Sequence, residues 1–167
     1  MRLVAGTADV SDVDEFVAAL PGDSETAVQA FDADYVTGRG HLAAAVEHAD
    51  RAFERGENVA SDRAVEILLY AAGRRQIREA LEMGVAAGEQ DVVVVVAGGD
   101  EADAAAAVAA FLDDGRVLDG EPLPGAVSGD RETIRAFFDV SEGELDAAAD
   151  DLPGVVRERV ALLDVEK

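Results

Sequence analysis

At 167 residues and 49% hydrophobic, the chain is long enough for one domain with a real core and too apolar to remain disordered. It has no cysteine, which excludes disulfides, thiolate metal sites and cysteine nucleophiles. A net charge of −22 would ordinarily set it against nucleic acid, because polyanions repel.

A second feature changes that inference. Of fourteen basic residues only Lys167 is lysine, against 36 acids, a composition resembling the cytosol of a salt-accumulating halophile. At molar salt the Debye length is about 3 Å, so net charge hardly acts beyond contact, and the acidity reads as solvation. The N-terminal apolar run is too short for a signal peptide, and none approaches the roughly 20 residues of a membrane span. A soluble, cytoplasmic protein without membrane attachment is expected.

In chain order, residues 1–5 read as a short strand. Ser11 or Asp12 caps a helix over 13–20, which Pro21-Gly22 stops. Residues 25–31 form a second strand candidate. A helix follows over 41–55, with Leu42, Val46, Ala49 and Phe53 at helical spacing and Gly56 closing it. Ser61 caps a long helix ending at Gly84. The five valines of 91–97 run without alternation, predicting a strand buried on both faces. Gly98-Gly99 leads into an alanine-rich helix over 100–112, and Val117-Leu118 into a short strand before the loop 120–129 with Pro122 and Pro124. Asp130 caps a helix carrying Ile134, Phe137 and Phe138. Ser141 to Glu144 is a capping-box pattern. Residues 155–159 read as helix and 160–165 as a closing strand. The expectation is an α/β (α+β) fold: one domain over 1–167, with a small mixed sheet and several packed helices.

The long helix over 61–83 is the most informative segment. Winding it at about 100° per residue places Val65, Leu68, Leu69, Ala72 and Met83 on one side, as a core stripe. Ile67, Tyr70, Ile77 and Leu81 fall on the other, with Arg63, Arg74 and Arg78; Arg75 lies at the border. Residues 39–78 hold seven arginines against six acids, +1 in an otherwise very acidic chain. One reading is a helix sandwiched between the sheet and another helix, its arginines snorkelling outward. The other is an exposed apolar patch rimmed by arginine, which marks an interaction surface. Gly73 in mid-helix costs about 1 kcal/mol relative to alanine, which is easiest to explain by a close approach to the backbone there.

The run Glu66-Ile67-Leu68-Leu69-Tyr70-Ala71-Ala72-Gly73-Arg74-Arg75-Gln76-Ile77, followed by Ala80-Leu81, resembles the hallmark of the PRPK-binding (TPRKB-type) small subunit of the KEOPS complex. Ala33-Asp34-Tyr35-Val36, His41-Leu42, Ala49 and the ending Glu158-Arg159-Val160-Ala161-Leu162-Leu163 extend the likeness over most of the chain. KEOPS installs threonylcarbamoyl-adenosine beside the anticodon of tRNA. The resemblance implies a non-catalytic subunit, without cofactor, that docks on the complex's atypical kinase/ATPase. It contacts the other subunits indirectly and, in archaea, helps hold tRNA by its single-stranded acceptor end. Which residues meet which partner is not implied. The chemistry of the side chains nominates Arg74, Arg75, Arg78, Arg63 and Tyr70, with Arg39 and His41, for tRNA, since guanidinium groups and aromatic rings stack on unpaired bases and fork onto phosphates. Ile67, Ile77 and Leu81 are nominated for the kinase or another partner. A kinase regulator without RNA contact is the alternative.

Other chemistry is weakly indicated. Residues 96–101 have the strand–glycine–helix layout of a phosphate turn, the basis of an alternative reading as a small nucleotide-using enzyme. Asp100, Glu101 and Asp103 at that helix start would repel an anion. His41 and His48 share a helical face, but no third ligand completes a metal site.

Overall fold

The computed structural model describes residues 1–118 and 129–166. Four strands form one sheet in the order β2-β3-β1-β4, and every pairing in it is antiparallel, so the sheet is not of the mixed kind expected. They are β1 (Arg2–Val10), β2 (Ala27–Asp32), β3 (Gly88–Ala97) and β4 (Asp113–Leu118). β3 runs between β2 and β1, with Ala27 opposite Ala97 on one side and Arg2 opposite Val96 on the other. Both faces of the sheet are covered, which is why the valines of β3 show no alternation: all five are fully buried. Val93 and Val95 point into the larger core, while Val92, Val94 and Val96 point into a smaller one. The chain is thus one α/β unit, as its pattern of elements implies.

The smaller core lies under α1 (Val13–Ala19) and α5 (Glu101–Phe111), joined by the Phe16–Phe111 ring contact at 5.4 Å. Asp12 caps α1 by accepting from the Glu15 amide, and Asp100 caps α5. The larger core holds α2 (Arg39–Arg55), α3 (Arg63–Ala72) and α8 (Leu152–Glu166), with α6 (Arg131–Phe137) and α7 (Glu142–Ala147) closing one end. Helix α2 buries His41, Leu42, Ala45, Val46, Ala49 and Ala52 along one stripe and ends at Gly56 in the left-handed conformation. Asp130 and Ser141 cap α6 and α7 as expected. The expected loop with Pro122 and Pro124 lies outside the described residues.

Two further expectations need correction. Residues 160–165 continue α8 and are not a strand. Their buried members, Val160 and Leu163, carry on the three-and-four spacing of Leu152, Val155 and Val156. A short aliphatic run does not distinguish the two states by itself, and β2 and β4 already occupy the sheet edges.

The segment 61–83 is not one helix. Helix α3 is capped by Asp62, not Ser61; its carboxylate takes the Ala64 amide at 2.8 Å. It stops at Gly73, which adopts φ +62°, and the Arg74 N–H closes the last turn onto the Leu69 carbonyl at 3.0 Å. A Cβ on residue 73 would meet the Arg159 carbonyl of α8 at 3.3 Å. Gly73 is therefore a terminator held close to a neighbouring backbone. Every residue from Glu66 to Ala72 is buried, because α3 packs against β2 on one side and against α2 and α8 on others. Its apolar residues on opposite faces reflect this enclosure. The buried Glu66 carboxylate accepts from the Val59 and Ala60 amides and so ties down the loop that leads into the helix.

Arg159 of α8 links the same region. Its guanidinium donates to the Phe138 carbonyl at 3.2 Å and the Asp139 carbonyl at 3.3 Å, and forks onto Glu144 at 2.7 and 2.8 Å.

Gly73→Ala is expected to destabilise the chain by about 1–2 kcal/mol, from the left-handed backbone and the tight contact together. Urea unfolding of the two proteins measures this; an unchanged midpoint would show that the turn tolerates a side chain.

Candidate functional site

Past Gly73 the chain turns through Arg74–Gln76 into the single turn α4 (Ile77–Ala80) and a short 3-10 turn over Leu81–Met83. Ala80 and Met83 point inward and are fully buried. Ile77 and Leu81 point outward, 46% and 54% exposed, beside the exposed Arg75 and Arg78. An apolar pair this accessible, with arginine on the same turn, is a surface built for contact.

Arg74 is half-buried at the edge of this patch. Its guanidinium lies 4.7 Å over the Phe137 ring and donates to the Phe137 carbonyl. The same ring meets Tyr35 edge-on at 5.3 Å. The Tyr35 hydroxyl donates to Glu82 at 3.2 Å; burial first, and then the Glu82 charge, push its pKa up to about 12. Tyr35, Arg74, Glu79, Glu82, Thr133, Ala136 and Phe137 line an open cleft of about 540 Å³. The Arg74 Nε is buried without a hydrogen-bond partner among the described residues.

The remaining nominated residues are placed elsewhere. Ile67 and Tyr70 are fully buried in the core and offer no surface to a partner. The Tyr70 ring stacks on His48 at 5.6 Å, and its hydroxyl donates to Asp164, which also meets His48 Nδ1 at 2.7 Å. Burial and the neighbouring carboxylate raise the Tyr70 pKa, keeping the phenol neutral. Arg63, at the opposite end of α3, forks onto Asp50 at 2.7 and 3.0 Å and donates to the Ala97 carbonyl at 2.8 Å. Arg39 donates to the Leu118 carbonyl at 2.8 Å. His41 is buried, with Nε2 2.8 Å from the Ala71 carbonyl and Nδ1 accepting from the Thr37 amide at 3.2 Å. That geometry fits a neutral ring protonated on Nε2, joining the start of α2 to the end of α3.

Of the ten nominated residues, the fold gathers Arg74, Arg75, Arg78, Ile77 and Leu81 at one end of α3. Arg39, Arg63, His41, Ile67 and Tyr70 serve the packing. Sequence reasoning missed Phe137, Tyr35, Glu82 and Thr133 as neighbours of Arg74. No local spacing connects positions 35, 74 and 137.

The Gly98-Gly99 turn is filled by the chain itself. The Gly98 amide donates to Glu101 at 2.8 Å, which holds that carboxyl below its usual range, and a Cβ at Gly98 would lie 2.5 Å from Arg63 Nη1.

Residues 7–164 match the family model of the kinase binding protein CGI-121. The chain belongs to that family. The match spans α1 to α8 and includes both the exposed patch and the buried body of α3, so kinase binding is the common property to which the geometry must answer. No curated protein matches the sequence. No helix among the described residues is long and apolar enough to cross a membrane.

Burial lowers the His41 pKa from 6.5 to about 4. The unfolded chain then binds the extra proton first, so this contribution is fully present above about pH 6.5 and is lost as pH falls toward 4. The loss amounts to as much as about 3 kcal/mol. His41→Gln, which keeps a donor for Ala71, is expected to flatten the pH dependence of the urea midpoint between pH 7 and 4.5. Parallel curves for the two proteins would show that His41 does not carry it.

Proposed function

We propose that this chain is a non-catalytic accessory subunit of the KEOPS complex, which docks on the atypical kinase/ATPase and helps hold tRNA by its single-stranded acceptor end. Membership of a kinase-binding family and the likeness to the KEOPS small subunit over residues 66–81 support the docking role. The observation that carries the RNA role is the turn after Gly73, which sets Arg75 and Arg78 beside the exposed side chains of Ile77 and Leu81.

Unpaired bases stack on apolar and guanidinium surfaces, while arginine forks onto the phosphates between them. Such contacts survive high salt because they act at short range. Glu79 and Glu82 line the neighbouring cleft beside Arg74 and restrict where phosphate can lie. The backbone of the strand is therefore assigned to the Arg75 and Arg78 side, and the bases to Ile77 and Leu81. A second reading, a kinase regulator without RNA contact, draws on the same exposed apolar pair, which would suit a protein surface equally well.

Arg74 is a poor position for testing these readings, since it is stacked on Phe137 and its loss would disturb α6. Ile77→Glu and Arg78→Glu alter exposed side chains only. Each is expected to weaken tRNA retention at least tenfold in a gel shift at matched salt, with kinase co-elution preserved. The wild-type chain is expected to lose the same affinity for tRNA lacking its single-stranded 3′ end. Unchanged tRNA binding with lost co-elution would assign the patch to the kinase and favour the second reading.

A further inference from the structure

The opposite end of α3 carries a second surface, of different chemistry. A groove of about 610 Å³ runs between α1, the start of β2 and the N-terminal turn of α3. Its apolar lining comes from Val17, Leu20, Val28 and Phe53, none of them buried. Its rim carries the carboxylates Asp23, Glu25, Asp50 and Asp62. The one cation in the lining among the described residues, Arg63, is taken up by Asp50 and the Ala97 carbonyl, so the carboxylates set the sign of the groove.

Helix α1, which forms one wall, buries none of its seven residues, and Val17 is 52% exposed. Acidic residues alone would mean little in a chain of −22. What sets this place apart is carboxylates beside apolar side chains in one groove, walled by a helix that packs Val13 and Phe16 on the smaller core and leaves Val17 exposed.

We propose that this groove is the docking site for the kinase, and that it takes a polypeptide segment with a bulky apolar anchor flanked by lysine or arginine. The assignment rests on the kinase-binding character of the family. Charge complementarity selects the occupant: carboxylates on the rim repel a phosphate backbone, which excludes RNA, and they pair with cationic side chains on a protein. The apolar floor supplies the anchor pocket that such segments need, since a few buried apolar side chains dominate most interfaces. The ten residues of α3 span about 15 Å, which separates the groove from the Ile77 and Arg78 end. Two partners of opposite charge are then held at the two ends of one helix. A second copy of this chain is the rival occupant, because its own Ile77 and Arg78 offer a similar pairing of apolar and basic groups.

The test is titration of the purified chain with its cognate kinase at fixed salt, comparing wild type with Val17→Glu and Glu25→Lys. Both positions are exposed, so the variants are expected to fold, and circular dichroism checks this. Each is expected to weaken kinase binding at least tenfold, whereas Arg78→Glu leaves it within twofold. In the complex, amide exchange is expected to slow over residues 13–28 and 61–64. Wild-type affinity in both groove variants, with protection confined to Ile77–Met83 or to the exposed Leu162 and Val165 of α8, would overturn the assignment and leave kinase binding itself intact. A dimer of the free chain that Val17→Glu dissociates, with kinase affinity unchanged, would assign the groove to self-association. A wild-type chain that binds no kinase removes the docking function and this site with it.

Discussion

A short helix with apolar side chains on every side has to be enclosed, and the rest of this fold is arranged to enclose α3. Seven consecutive residues, Glu66 to Ala72, have no contact with solvent worth mentioning. β2 covers one side, and α2 and α8 cover others. A helix buried this completely presents little of its flanks to a partner. Its two ends are different, because backbone groups there lack partners within the helix and the chain must change direction. Asp62 satisfies one end and the left-handed Gly73 the other, and both places where α3 meets the surface carry exposed apolar side chains with charge beside them.

The two ends differ in sign. Arginine collects after Gly73, where Arg75 and Arg78 stand beside Ile77 and Leu81. Carboxylates collect before Ala64, and the Arg63 guanidinium there is already claimed by Asp50. At molar salt neither end would steer a partner from a distance, and selectivity there comes from contact geometry: ring faces, forked hydrogen bonds and anchor pockets. A surplus of acid over the whole chain is compatible with a local basic patch, because salt screens exposed charges that lie more than a Debye length apart.

Much of the fold was legible because burial leaves a mark on the sequence. The uninterrupted valines of β3 predicted a strand covered on both faces, and Gly56, Asp130 and Ser141 marked helix ends by capping chemistry. The segment 61–83 was misread for a physical reason. Gly73 within a helical period costs only about 1 kcal/mol, so the period runs through it on paper, and only its left-handed backbone, closed by the Arg74 N–H on the Leu69 carbonyl, shows that the helix stops there. The same misreading put Ile67, Tyr70 and Ile77 on one face, although the chain turns between the second and the third. The strand expected over 160–165 failed because aliphatic runs fit either state until the sheet edges are known. The ring contacts of Tyr35 and Phe137 with Arg74 had no trace in the sequence, being made across three separate elements.

Arg159 ties these elements together. Its backbone carbonyl limits the space under Gly73, while its guanidinium grips the end of α6 and the Glu144 carboxylate of α7. Phe137, the ring beneath Arg74, directly precedes the residue whose carbonyl Arg159 holds. The spacing between the platform of Phe137 and the arginine above it is thus set from the last helix of the chain, one side chain acting as a keystone for an arch whose two feet are far apart in sequence. The platform under Arg74 therefore answers to α8 as much as to α6, so a shift in the seating of α8 is felt at the cleft that Tyr35, Arg74 and Phe137 line.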